Sequence, residues 1–244
     1  MRLRLISCEI FYREMCWAVA HSRNQVDLEF LPKGLHDLGA APMRAQLQAA
    51  VDRVDADRYE AVLLGYALCG NGLAGLEARR LPLIAPRAHD CITLFLGSRT
   101  RYLEYFRARP GTYFKTTGWI ERGRQIPQLS IQEKLGVRRS FEELAARYGE
   151  DNARYLMEQL GDYMRNYGRM AFIRMGIEPD GGFEEAARRE AERRGWQFET
   201  LEGDLSLIRR LVDGPWDDGD FLVAPPGGRI AAAYDENVIC LERT

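Results

Sequence analysis

Three cysteines and two histidines stand where a soft metal ion or a thiol nucleophile would need them. Cys8 closes the apolar run Leu3 to Cys8, and His36 follows the run Val26 to Leu31. Cys69 follows Ala61 to Gly65, while His89 and Cys91 follow Leu81 to Ala85. If each run is a strand of one parallel sheet, all five residues reach its carboxyl edge, where ligands bind in open α/β sheets. Thiolate and imidazole ligands suit zinc or iron and suit magnesium or calcium poorly. The expected centre has Cys8, Cys69 and Cys91 as thiolate ligands and His36 or His89 as a fourth. Their sulfurs would then lie roughly 3.5 to 4 Å apart around an ion with bonds near 2.3 Å. An iron–sulfur cluster on three cysteines is the neighbouring expectation. No CxxC pair is present, so the pattern is not that of a zinc knuckle.

Two other chemistries fit the same residues. Cys69, at the start of a glycine-spaced turn, could be a nucleophile whose pKa is lowered at a helix N-terminus, with His36 or His89 as its base. A carrier or sensor that holds a cofactor between two α/β halves is the non-catalytic reading. Gly70-Asn71-Gly72 with Gly75 resembles a phosphate cradle but lacks the GxGxxG register, so these glycines are read as allowing the turn that carries Cys69. The segment Pro110 to Trp119 combines aromatics, hydroxyls and one lysine. It is expected to wall a mostly apolar pocket for a small-molecule substrate or cofactor, with Asn71, Tyr113, Lys115 and Trp119 as contacts. Cys16 and Cys240 are read as structural.

The elements that must position these residues alternate in type. Apolar runs at Leu3 to Cys8, Val26 to Leu31, Ala61 to Gly65 and Leu81 to Ala85 are separated by helical spacings. A helix from about Pro42 to Val54 carries Leu47, Ala50, Val51 and Val54 on one stripe, and Asp90 is placed to cap a helix through Leu96. That alternation predicts an α/β fold, with a mostly parallel, Rossmann-like sheet and flanking helices. Further on, a charged helical stretch spans Ser130 to about Asn166, with Ser140 and Glu143 spaced as a capping box. Strands are expected at Met170 to Met175, Trp196 to Leu201 and Phe221 to Ala224, and a helix at Phe183 to Arg194. The chain is thus divided into an N-terminal α/β half over 1–125, carrying the Cys/His site, and a helical segment plus second α/β half over 126–244.

Composition narrows the function classes. The 244 residues include 34 Lys and Arg against 36 Asp and Glu, a formal charge of −2. Nucleic-acid binders need a basic excess, so nucleic acid is not an expected partner. No window reaches the roughly 18 apolar residues of a membrane helix, and the N-terminus lacks the features of a signal peptide. Neither a membrane partner nor export is expected, and the predicted location is cytoplasmic. Five cysteines is an odd count, unsuited to a disulfide framework, and leaves thiols available.

The runs Leu64-Gly65-Tyr66-Ala67-Leu68-Cys69-Gly70-Asn71-Gly72, Pro86-Arg87-Ala88-His89-Asp90-Cys91, Pro110-Gly111-Thr112-Tyr113 and Gly118-Trp119 resemble the bacterial and archaeal family catalogued as domain of unknown function 1638. The resemblance is densest between residues 60 and 120, and Ala67 departs from it where a glycine is expected. It implies no defined activity. It does imply a link to corrinoid-dependent methyl transfer, and with it a possible metal-dependent transferase that uses zinc or iron to hold a thiol as thiolate.

Overall fold

A computed structural model describes residues 1–122, 149–150 and 166–242 of the chain. The expected charged helix from Ser130 and its capping box at Ser140 lie outside the described residues. Strand β1 (Arg2–Cys8) leads through a 3-10 turn (Glu9–Phe11) into helix α1 (Tyr12–Ala20). Strand β2 (Gln25–Leu31) is followed by a 3-10 segment (Lys33–Leu38) and α2 (Ala40–Asp52). Strands β3 (Ala61–Gly65) and β4 (Leu83–Pro86) then precede α3 (Cys91–Leu96) and α4 (Arg99–Ala108). The remainder is β5 (Thr112–Lys115), α5 (Thr117–Glu121), β6 (Arg169–Arg174), α6 (Gly182–Arg194), β7 (Gln197–Glu202), α7 (Ser206–Asp213), β8 (Phe221–Ala224), β9 (Ile230–Ala232) and β10 (Ile239–Leu241).

The main sheet has the order β2-β1-β3-β4-β8, and its first four strands are parallel. The mostly parallel α/β architecture is therefore as expected. Every residue of β3 and β4 is buried, in line with the unbroken apolar runs that central parallel strands need. The fourth strand starts at Leu83 rather than Leu81 and includes Pro86, whose missing N–H is tolerated at the strand's last position. The fifth strand, β8, comes from far along the chain and pairs antiparallel with β4. The buried Arg87 guanidinium holds this return in place by donating to the carbonyls of Phe221, Asn237 and Ile239. A second sheet, β5-β6-β7, is entirely parallel, and β9 pairs with β10 as a small antiparallel ribbon.

The sequence between Arg101 and Glu121, which lacks one clear period, resolves into α4, β5 and α5, and helices α3, α4 and α5 each have a side-chain N-cap. Asp90 Oδ1 accepts from the Ile92 and Thr93 N–H groups, Ser98 Oγ from Arg101, and Thr116 Oγ1 from Trp119. At the foot of α5 the backbone of Gly118 lies against the turn after β1. A Cβ on Gly118 would sit 1.7 Å from the Ile10 carbonyl oxygen. Only a glycine lets α5 approach the end of β1 so closely.

Glu14 in α1 is almost fully buried, and its Oε2 has no hydrogen-bond partner. Burial, then the like charge of Glu178, pushes its carboxyl up from 4.5 to about 7. Between those values the unfolded chain ionises Glu14 more readily than the folded one. The stability that the neutral carboxyl retains is therefore full below about pH 4.5 and is lost as pH rises through about 7.

Two outcomes follow. Gly118→Ala lowers the thermal midpoint by the equivalent of roughly 2–3 kcal/mol, as expected for overpacking against rigid backbone. Gly168→Ala, which meets open space, leaves it within about 0.5 kcal/mol. Glu14→Gln matches the parent in denaturant unfolding at pH 4.5 and exceeds it at pH 8 by on the order of 2 kcal/mol. Equal stability of parent and variant at both pH values would rule out the buried neutral carboxyl.

Candidate functional site

The order β2-β1-β3 means that the chain leaves β1 toward one side and returns to β3 on the other. Crevices form at such a switch point, beyond the carboxyl ends of the strands. Cys8 ends β1 at this point, and the segment Tyr66 to Cys69 leaves β3 beside it. The strand ends are tightly packed: a Cβ on Gly65 would lie 2.3 Å from Ser7 Oγ. The turn after β3 is bonded to the turn after β4, with Leu68 N–H donating to Ala88 O at 2.8 Å and Cys69 N–H to His89 O at 2.9 Å. These bonds bring Cys69 alongside the start of α3, where Cys91 is the first helical residue.

The three thiols are neighbours in the electrostatic sense. Burial is the main cause that pushes each upward, and Cys8 reaches about 12. Beyond burial, Cys8 is raised by Cys91, Cys69 by Cys8, and Cys91 by Cys69. The backbone N–H groups of Ala67 and Cys91 act on the Cys69 thiol in the opposite direction. Trp119 directs its buried indole N–H toward the Cys91 sulfur without completing a hydrogen bond of standard geometry, and the positive ring edge still favours the thiolate. Cys69 has a φ of +42° and is followed by Gly70 and Asn71, both also at positive φ. A cysteine in this left-handed region costs on the order of 1 kcal/mol or more, a strain that collects at functional sites.

Sequence reasoning did not single out Tyr66 or Lys33, which lie around the thiols with the expected His36. Tyr66 is buried with its hydroxyl unpartnered, and after burial itself Cys8 and Cys69 are the next causes that raise its phenol. Lys33, also buried, places Nζ 4.7 Å from the centre of the Trp119 ring, and its charge favours the Cys8 thiolate. His36 stands with its ring 6.0 Å from that of Tyr66. The sequence shows Lys33 only as the middle of a Pro-Lys-Gly turn, which disguises a buried ammonium as a loop charge.

Cys91 also lines a cavity of about 740 Å³ between α3, α4, β5 and α5. Its aromatic walls are Tyr102, Phe106, Tyr113, Phe114, Trp119 and Tyr167. Tyr102 and Phe106 share one face of α4 at i, i+4, a spacing that was the available sign of a wall. The Tyr102 hydroxyl donates to Asp90 Oδ2 at 2.7 Å, so the residue that caps α3 also orients the wall. Tyr113 packs edge-on against Tyr167 at 5.4 Å.

Other expected contacts lie elsewhere. Lys115 pairs with Glu190 at 3.1 Å and does not line this cavity. Asn71 is exposed in the turn after Cys69. His89 is exposed and lines a separate cavity of about 320 Å³ with Arg99, Arg107 and Glu236. Cys16 lies on α1 and Cys240 on β10, both half-buried. Among the described residues, no group of three or more His, Cys, Asp or Glu side chains is arranged to hold a metal ion. No described helix is long and apolar enough to cross a membrane.

A family model described as "Protein of unknown function (DUF1638)" matches residues 30–212, which include His36, Cys69, Cys91 and the aromatic cavity. No curated protein and no solved structure matches the chain.

The raised thiol predicts an alkaline limit to stability. Cys8 ionises near 9 when unfolded and near 12 when folded. Its contribution is thus full below pH 9 and is lost as pH climbs toward 12. In denaturant unfolding, the advantage of the parent over Cys8→Ala shrinks between pH 7 and pH 10.5. A constant difference across that range contradicts the burial of a neutral thiol.

Proposed function

The chain belongs to the family described as protein of unknown function DUF1638, and we propose that it binds a small organic substrate or cofactor in the aromatic cavity and presents the Cys91 thiol to it. The observation that carries this reading is the position of Cys91. It belongs both to the coupled thiol group at the strand ends and to the lining of the cavity. Concave, mostly apolar sites with a few convergent polar groups are the usual form of small-molecule sites. Here the polar groups include the Asp90 carboxylate, the Tyr102 hydroxyl, Thr112, Asn166 and the thiol. The near-even charge balance supports a partner other than nucleic acid.

A second reading is favoured by the mutual influence of the three thiols. Cys8, Cys69 and Cys91, with His36 nearby, form a donor set of the softness that zinc or iron prefers. Buried thiols resist ionisation when no cation is near, and a metal held by them would supply that cation and keep one sulfur as thiolate at neutral pH. The arrangement described above must tighten for all three to ligate one ion. This chain's own contribution would be to exclude water, through burial of Cys8 and Cys91, and to lower the cost of thiolate through Lys33 and the Trp119 N–H. His89 faces another cavity and takes no part. Such a thiolate is the acceptor that methyl transfer requires, in keeping with the resemblance to a family linked to corrinoid chemistry.

Two measurements separate the readings. Phe106→Trp fills the cavity from its rim and reduces binding of small uncharged ring probes such as indole by at least about tenfold in ligand-observed NMR. Undiminished binding in this folded variant removes the cavity from consideration. For the metal reading, anaerobically prepared protein carries near-stoichiometric zinc or iron that is lost in Cys69→Ser. Metal-free protein under those conditions overturns it.

A further inference from the structure

We infer that the aromatic cavity is built for a cation, and that its ligand class is a methylated ammonium compound. The inference rests on the cavity being a small-molecule site and adds the charge of the ligand.

Six aromatic side chains, from α4, β5, α5 and Tyr167 just ahead of β6, contribute to one lining. Aromatic faces carry negative quadrupole potential and attract cations with about 0.5–2 kcal/mol each, more where water is excluded. Among the described residues that line the cavity there is one carboxylate, Asp90, and no Lys, Arg or His. A site for an anion would carry the opposite balance.

The disposition of Asp90 narrows the class further. Its Oδ1 accepts from the first-turn N–H groups of α3, and its Oδ2 accepts from the Tyr102 hydroxyl. The carboxylate therefore offers its charge more than vacant acceptor positions. A primary ammonium wants acceptors for three N–H donors, whereas a methylated ammonium has few or none and needs only field and π-faces. Donating its proton toward a carboxylate also makes the Tyr102 ring more electron-rich, which strengthens its pull on a cation. The neighbourhood already shows the affinity of these rings for ammonium groups. Lys33 Nζ lies 4.7 Å from the Trp119 centroid, and Lys115 Nζ lies 5.4 Å from that of Tyr113. Both amines lie outside the lining, and Lys115 is also bound by Glu190.

The test is calorimetric titration of the full chain with choline, with the uncharged carbon isostere of choline (dimethylbutanol), and with indole. Choline is expected to bind at least about tenfold tighter than its isostere, the factor that corresponds to one or two cation–π contacts. Asp90→Asn retains an amide oxygen to cap α3 and should weaken choline about fivefold while leaving the isostere unchanged. Tyr113→Leu should weaken choline more than indole. Equal affinity for choline and its isostere overturns the cationic ligand class and leaves the cavity as a site for uncharged molecules. Binding of none of the three overturns the small-molecule site, and this inference with it.

Discussion

Backbone pairing on both sides of β1 is the constraint from which the chemistry of this molecule descends. Residues of β1 match β2 from Arg2 with Gln25 to Cys8 with Leu31, and they match β3 from Leu3 with Ala61 to Ser7 with Gly65. Parallel registry aligns the carboxyl ends of strands that are far apart in sequence, about 4.8 Å from one neighbour to the next. Cys8, the turn bearing Lys33 and His36, and the turn bearing Tyr66 and Cys69 thus meet without any direct attraction among their side chains. Glycines at two of the closest approaches keep that edge dense. Gly65 leaves room for Ser7, and Gly118 lets α5 carry Trp119 over the end of β1.

Burial then sets the character of the thiols. Removal from water favours the neutral form, and three thiols close together disfavour a second negative charge further. Lys33, the Cys91 backbone N–H and the Trp119 indole work in the other direction. The result is a set of thiols that burial holds in the neutral form against these opposing influences. The strained backbone at Cys69 fits this picture, since its surroundings hold a conformation that the residue would not choose alone.

Much of the sheet was legible because fully buried parallel strands read as unbroken apolar runs. Ala61–Gly65 and Phe221–Ala224 have the bounds the sequence suggests, and Asp90 is the cap its position implies. The partner of Phe221–Ala224 was not legible, because pairing across such separation is decided by tertiary packing and leaves no local period. The placement of Cys8, Cys69 and Cys91 at or just past strand ends followed from the apolar runs alone. The fate of the histidines did not, since the turn after β4 sends its peptide carbonyl toward Cys69 and its imidazole away. Lys115 was misleading. It shares a face with Tyr113, yet its ammonium reaches over that ring to Glu190 and stays outside the cavity lining. Tyr66 and Lys33 were hidden because burial of a polar group depends on what packs over it, and composition around them resembles an ordinary turn.

The late return of β8 has a consequence for how the chain comes off the ribosome. The parallel strands of the main sheet are complete by Pro86, but the edge of β4 finds its neighbour only when Phe221 arrives. Arg87 and the Phe221 carbonyl that it anchors are 134 residues apart in sequence. At synthesis rates of about 5–20 residues per second, the β4 edge and the Arg87 guanidinium wait roughly 7–27 s for their partners. An unpaired apolar strand edge is a template for intermolecular pairing throughout that interval. Yield from a living cell is thereby tied to translation speed and to whatever shields nascent strands, quite apart from the equilibrium stability of the finished protein.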